Sequence, residues 1–156
     1  MKQKANKSLE AAQNLINTRE TFGYNSSIHC SYYATLQYMK YVLANTDKRA
    51  IPYSSQDVRG QDSHNHILTE IVNRIDDYRN GRLFREDVRW LKSERKEADY
   101  TQRDFNQKES LECIDKAKGI ICKLNQYFGL WTRKKKLRSS WQSGLTSCWL
   151  NILGLK

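Results

Sequence analysis

The chain has 156 residues, 27 Lys and Arg against 17 Asp and Glu, and a formal net charge of +10. That length is enough for one domain whose core needs neither disulfides nor a structural metal. No apolar run approaches the roughly 20 residues needed to span a bilayer, which argues against a membrane protein. A single proline and seven glycines in a chain rich in Lys, Glu, Gln, Leu, Ala and Asn point to an all-helical fold.

The charge is unevenly spread. From Trp131 onward there are six Lys or Arg and no acid, leaving +4 on the first 130 residues. An acidic partner such as RNA, DNA or an acidic protein suits this balance. Cys30, Cys113, Cys122 and Cys148 form no C-x-x-C pair, and no apolar leader follows a basic start. Reduced thiols and a cytoplasmic protein are the expectation, with the cysteines acting as small buried hydrophobes.

In chain order, Ala5, Leu9, Ala12 and Ile16 recur at helical spacing and predict a first helix over about 6–21. "FGYNSS" (22–27) is expected to break it at Gly23 and to supply Asn25 or Ser26 as the next cap. A second helix over about 27–45 carries Ile28, Tyr32, Thr35, Leu36, Met39 and Leu43 on one face. Tyr33, Tyr38 and Tyr41 give it a second, aromatic face, the mark of a helix central in a bundle or buried at a dimer interface.

The polar stretch 45–65 holds the only proline and reads as a long, mobile connection. Ile67, Ile71, Ile75 and Tyr78 mark a third helix, expected to stop near "RNGR" (79–82). Phe84, Val88, Leu91, Arg95 and Ala98 mark a fourth. Asn106 with Glu109 three residues on is a capping box opening a fifth helix. Its stripe is read as Leu111, Ile114, Ala117, Ile121, Leu124 and Phe128, with Gly129 as the stop. About five helices joined by mostly short links predict an up-and-down antiparallel bundle over 1–130. Residues 131–156 are a basic, tryptophan-containing extension.

The fourth helix is the most informative for function. Arg95 falls where its stripe calls for a core residue, and a buried guanidinium needs a carboxylate, a phosphate or a groove. Asp99 or Glu112 is the structural partner, and an anionic ligand is the functional one. His64 and His66 form a His-x-His pair too unspecific to define a metal site, so no metal or cofactor is expected. His29, Tyr32 and Tyr33 sit at helical spacing with Ile28 and Leu36, which favours core roles over base stacking. Arg133, Lys134, Lys135, Lys136 and Arg138, flanked by Trp131 and Trp141, are the candidates for direct phosphate contact.

Three stretches together resemble the HEPN superfamily, in particular its small single-domain members. "SLEAAQNLINTRETFGYNSSIHCSYYATLQYMKYVL" (8–43) is similar to the first helical hairpin of that family. "SHNHILTEI" (63–71) is similar to the histidine-containing start of its next helix, which singles out His66. "RKEADYTQRDFNQKESLECIDKAKGIICKL" (95–124) is similar to its Arg-x-x-Ala-Asp-Tyr segment and final helix. The resemblance covers about residues 5–128. It implies a homodimer whose cleft holds Arg95, Asp99, Tyr100 and His66, and a metal-independent ribonuclease motif, Arg-x4-6-His. It also implies a toxin–antitoxin or defence setting, with a small nucleotidyltransferase as antitoxin and Tyr100 as its target.

The match departs at one decisive position. Tyr100 stands where the motif places histidine, and no histidine follows it. Tyrosine phenols ionise near pH 10, and a carboxylate beside a guanidinium is a weakened base. Two functions are therefore expected from the sequence. One is an RNA-directed protein acting through Arg95; the other is a noncatalytic dimeric adaptor that binds a partner protein or nucleotide in the same cleft.

Overall fold

A computed structural model describes residues 1–57 and 62–129. It contains helices α1 (Lys2–Ile16), α2 (Thr21–Asn45), α3 (Ser63–Val72), α4 (Tyr78–Tyr100) and α5 (Gln107–Tyr127), with one short 3-10 turn at Tyr53–Ser55. Among the described residues the fold is all-α, an antiparallel bundle as the sequence periodicity predicts. The basic extension 131–156 lies outside the described residues.

The compact unit Met1–Leu124 is organised around α2, which packs against α1, α3 and α4. Its Ile28, Tyr32, Leu36, Met39 and Leu43 are all buried, and on its aromatic side Tyr38 is buried too. They meet Ile67 and Ile71 from α3 and Phe84, Val88 and Leu91 from α4 in the core. Each such side chain contributes about 1.5–3 kcal/mol by leaving water. Ala12 and Ile16 of α1 cluster with Ile114 of α5. The buried stripe of α5 is Cys113, Ile114, Ala117, Ile120 and Leu124. It is rotated from the expected one, for Leu111 is exposed and Ile121 is only half-buried.

Helix boundaries differ from expectation where side chains, rather than residue type, decide them. α1 ends at Ile16, and Gly23 lies inside α2 instead of breaking the chain. This glycine is a close-approach position. A Cβ there would stand 2.2 Å from Thr18 Oγ1 and 2.5 Å from the Leu15 carbonyl oxygen. Asn25 is not a cap. Its side chain accepts from Phe105 N at 3.1 Å and donates to the Arg103 carbonyl at 3.3 Å, fastening the α4–α5 link.

α3 stops at Val72, and "RNGR" belongs to the first turn of α4. There Asp77 accepts from Asn80 N at 2.6 Å, a cap that starts a helix where the glycine suggested a stop. The expected capping box of α5 is present: Asn106 Oδ1 accepts from Glu109 N at 3.0 Å, and Glu109 Oε2 accepts from Asn106 N at 2.9 Å. Gly129 follows α5 with φ 61, the left-handed stop expected of it. The described part of the long connection is tied down. Buried Gln56 donates to the carbonyls of Lys40 at 3.0 Å and Ile51 at 2.8 Å.

Replacing Gly23 by Ala brings a methyl group against a backbone oxygen that cannot rotate away. The helix-propensity gain is smaller than the overpacking cost, so Gly23→Ala is expected to destabilise the protein by about 1–3 kcal/mol. Urea unfolding checks this: the midpoint should fall while the slope stays unchanged.

Candidate functional site

Arg95 follows Leu91 by four residues on the stripe of α4 that faces α2, and it is only 9 % exposed. Its Nε lies 2.7 Å from Asp99 Oδ2, one turn on. The N–H is not aimed at that oxygen, so the contact is an ion pair without a hydrogen bond. Nη2 donates to the Tyr33 hydroxyl at 2.9 Å. The guanidinium also lies over three tyrosine rings, 5.3 Å from the centroids of Tyr33 and Tyr100 and 5.8 Å from that of Tyr32. Such cation–π contacts favour a charge withdrawn from water. Burial works against the charge, but Tyr33, then Asp99 and Tyr100, outweigh it and hold the Arg95 pKa above its ordinary value. No hydrogen bond engages Nη1 among the described residues, so a planar donor edge is left for a ligand.

α2 supplies the facing wall through two side chains one turn apart. Tyr33 stacks on His29 with ring centroids 4.5 Å apart and planes at 27°. His29 Nδ1 is 3.0 Å from both oxygens of Asp99. One carboxylate thus serves Arg95 and His29 together. Beside them is an open groove of about 450 Å³, lined by Phe22, Asn25, Ser26 and Cys30 besides His29 and Asp99. Phe22 and Tyr100 are large aromatics left 75 % and 73 % exposed.

α3 contributes the third wall. Asp62 caps it by accepting from the backbone N of His64 and of Asn65. Lys92 of α4 binds Asp62 Oδ2 at 2.9 Å and Asn65 Oδ1 at 3.1 Å, fixing the start of α3 on α4. His64 Nδ1 then comes within 3.0 Å of the buried Tyr32 hydroxyl, and its ring meets the edge of Tyr33 at 6.0 Å. Burial pushes the Tyr32 phenol up, so it stays neutral. Burial, helped by the cations Lys92, Arg95 and Lys40, pushes His64 below its ordinary 6.5 against the opposing pull of Asp62.

Of the residues singled out from sequence, Arg95, Asp99 and Tyr100 are brought together. His64, not His66, is the α3 histidine that reaches the site, through Tyr32 and Tyr33. Two residues along a helix turn a side chain by about 200°, so His66 leaves from another face. His29 and Tyr33, read from sequence as core residues, are instead half-buried members of the site. The signal for them was present in their i, i+4 spacing on a helix apolar all round. Their pairing with Arg95 and Asp99 depends on how α2 and α4 pack. Arg133, Lys134, Lys135, Lys136 and Arg138 lie outside the described residues.

The depressed pKa of His64 has a consequence for stability. Between its folded value and 6.5 the unfolded chain binds the extra proton and the folded one does not, so stability falls as pH is lowered through this window. Asp62, Asp87 and Glu109 are held below their ordinary carboxylate values and titrate at more acid pH, outside it. Urea midpoints measured near pH 7.5 and near pH 5.5 should therefore drop for the wild type and drop less for His64→Asn. An equal drop in both would assign the pH dependence to other groups.

A family model for the HEPN domain matches residues 1–127. No curated protein and no solved structure matches the chain. The match covers most of the sequence and the fold is all-α among the described residues, so the chain belongs to the HEPN domain family.

Proposed function

We propose that this HEPN-domain protein is a homodimer that binds RNA at a cleft centred on Arg95. The observation that carries this reading is the state of Arg95 itself. The guanidinium is nearly buried, clamped by Asp99 and Tyr33 and enclosed by tyrosine rings, yet Nη1 donates no hydrogen bond among the described residues. A salt bridge built only for stability would be expected to engage both ends of the fork. A guanidinium held in this way matches the planar, bidentate geometry of a phosphate.

Three further features support it. Lys92, Arg95 and Lys40 stand close enough to His64 to act on its charge, so three cations gather on this side of the bundle, with Asp62 opposing them. Exposed Tyr100 and Phe22 offer aromatic faces on which unstacked bases can lie, the usual way single-stranded RNA is held. Residues 131–156 add Arg133, Lys134, Lys135, Lys136 and Arg138 as further phosphate ligands. A toxin–antitoxin or defence setting in the cytoplasm fits this reading. A nucleotidyltransferase antitoxin acting on the exposed Tyr100 hydroxyl would then block the cleft. Among the described residues no helix is long and apolar enough to cross a membrane.

Fluorescence anisotropy with labelled single-stranded RNA of mixed sequence tests the proposal. Arg95→Ala should weaken binding by about 10- to 100-fold, the loss of charge-assisted hydrogen bonds. Arg95→Lys should recover only part of it, and added salt should weaken the wild type. If Arg95→Ala binds RNA as tightly as the wild type and remains folded by circular dichroism, the RNA site is elsewhere. A wild type that binds no RNA would leave the adaptor function as the reading of this cleft.

A further inference from the structure

We infer that His29 and Asp99 form the proton-transfer pair of this site, so that a histidine from α2 supplies in space what α4 lacks in sequence. The inference rests on RNA binding at Arg95 and assigns the chemistry done there.

The tautomer follows from the partners. Asp99, paired with a guanidinium, is a carboxylate that only accepts hydrogen bonds. His29 Nδ1, 3.0 Å from both its oxygens, must carry the proton between them. In the neutral ring the free lone pair is then on Nε2, on the ring edge away from Asp99. Nε2 makes no hydrogen bond among the described residues. The side chain is 44 % exposed and lines the groove, so this nitrogen is accessible to a ligand. A carboxylate on the far nitrogen is also the arrangement that orients a catalytic imidazole and stabilises its protonated form.

The neighbours fix this pair to the anion site. Tyr33 stacks on the His29 ring and accepts the Arg95 Nη2 hydrogen bond, while Asp99 contacts both side chains. His29 and Arg95 therefore share two supports and keep a set relation to each other. The other candidates are committed differently. His64 has Nδ1 at the hydroxyl of a buried Tyr32, and among the described residues no carboxylate hydrogen-bonds its ring.

With a ribose phosphate on Arg95, His29 Nε2 takes the proton from the 2′-hydroxyl. The 2′-oxygen attacks the adjacent phosphorus, forming a P–O2′ bond as the P–O5′ bond breaks. The 5′-oxygen leaves with a proton from water, and the imidazolium returns its own proton to water. The products are a 2′,3′-cyclic phosphate and a 5′-hydroxyl, with no net oxidation or reduction. Arg95 offsets the charge that builds on the non-bridging oxygens.

The test uses the full chain, labelled single-stranded RNA and excess EDTA. The wild type should cleave the RNA to 2′,3′-cyclic phosphate ends, and should bind but not cleave the same strand made with 2′-deoxyribose. His29→Ala should cleave about 100-fold or more slowly while its RNA affinity is little changed, and added imidazole should restore part of the rate. His29→Gln, which keeps a polar side chain there, should be equally slow. Asp99 is a positioning residue that also pairs with Arg95, so Asp99→Asn should lower kcat by more than it raises KM. Cleavage by His29→Ala at the wild-type rate would overturn the assignment. So would a wild type that binds RNA through Arg95 and leaves it intact, although RNA binding would then stand. A wild type that binds no RNA would overturn both.

Discussion

The site depends on a single constraint, a guanidinium placed in the apolar stripe of α4. Removing such a charge from water costs several kcal/mol unless polar partners and aromatic faces replace the lost hydration. Arg95 obtains them from three directions: Asp99 one turn along its own helix, Tyr33 from α2, and rings from α2 and the end of α4. None of these is independent of the others. Tyr33 must stand at the α2–α4 seam to accept from Nη2, and α2 can lie there because Gly23 lets its first turn press on the end of α1. A local rule of helix packing at residue 23 thus reaches the site through the position of a whole helix.

Polar contacts on the surface then set the angles between elements that the core leaves free. Lys92 joins Asp62 and Asn65, which locks the start of α3 to α4 and brings His64 to Tyr32. Asp87 accepts from Lys116 at 3.1 Å and Lys123 at 2.6 Å, linking α4 to α5 on the other side. Isolated surface pairs contribute little to stability. These pairs matter through geometry, since each connects helices that share few core residues. α4 is therefore held from both sides, and Arg95 and Asp99 ride on a rigid element.

Most of the helical architecture was legible because period alone reports which residues are buried. The α2 stripe from Ile28 to Leu43 and the α4 stripe from Phe84 to Arg95 are both found buried. Boundaries were less legible where glycine was taken at face value. Gly23 and Gly81 lie inside helices because a cap or a close approach outweighs their low propensity, as Asp77 does for α4. In the site, Arg95 and Asp99 were readable because they are four apart on one helix. His29 and His64 were not, since their roles depend on pairings 70 and 32 residues distant in sequence. His66 drew attention through its place in a motif, and the helix turns it elsewhere.

A linear motif and a spatial constellation are different objects, and the departure at Tyr100 shows why that matters. Arg-x4-6-His keeps both groups within about two turns of one short segment, so the pattern can be read from sequence alone. Here position 100 carries a phenol whose ring rests by the guanidinium, and the imidazole enters from α2. The carboxylate that joins them sits at 99, inside the same stretch. Asp99 is therefore the residue on which the arrangement turns: with Arg95 alone it would be a helix-end ion pair, and with His29 alone an orienting acceptor. Bound to both, it couples the guanidinium proposed to receive a phosphate to the imidazole proposed to move a proton. On the proposed reading, the chemistry of the stretch 93–100 lies in Arg95 and Asp99 together with a histidine some seventy residues earlier in the chain.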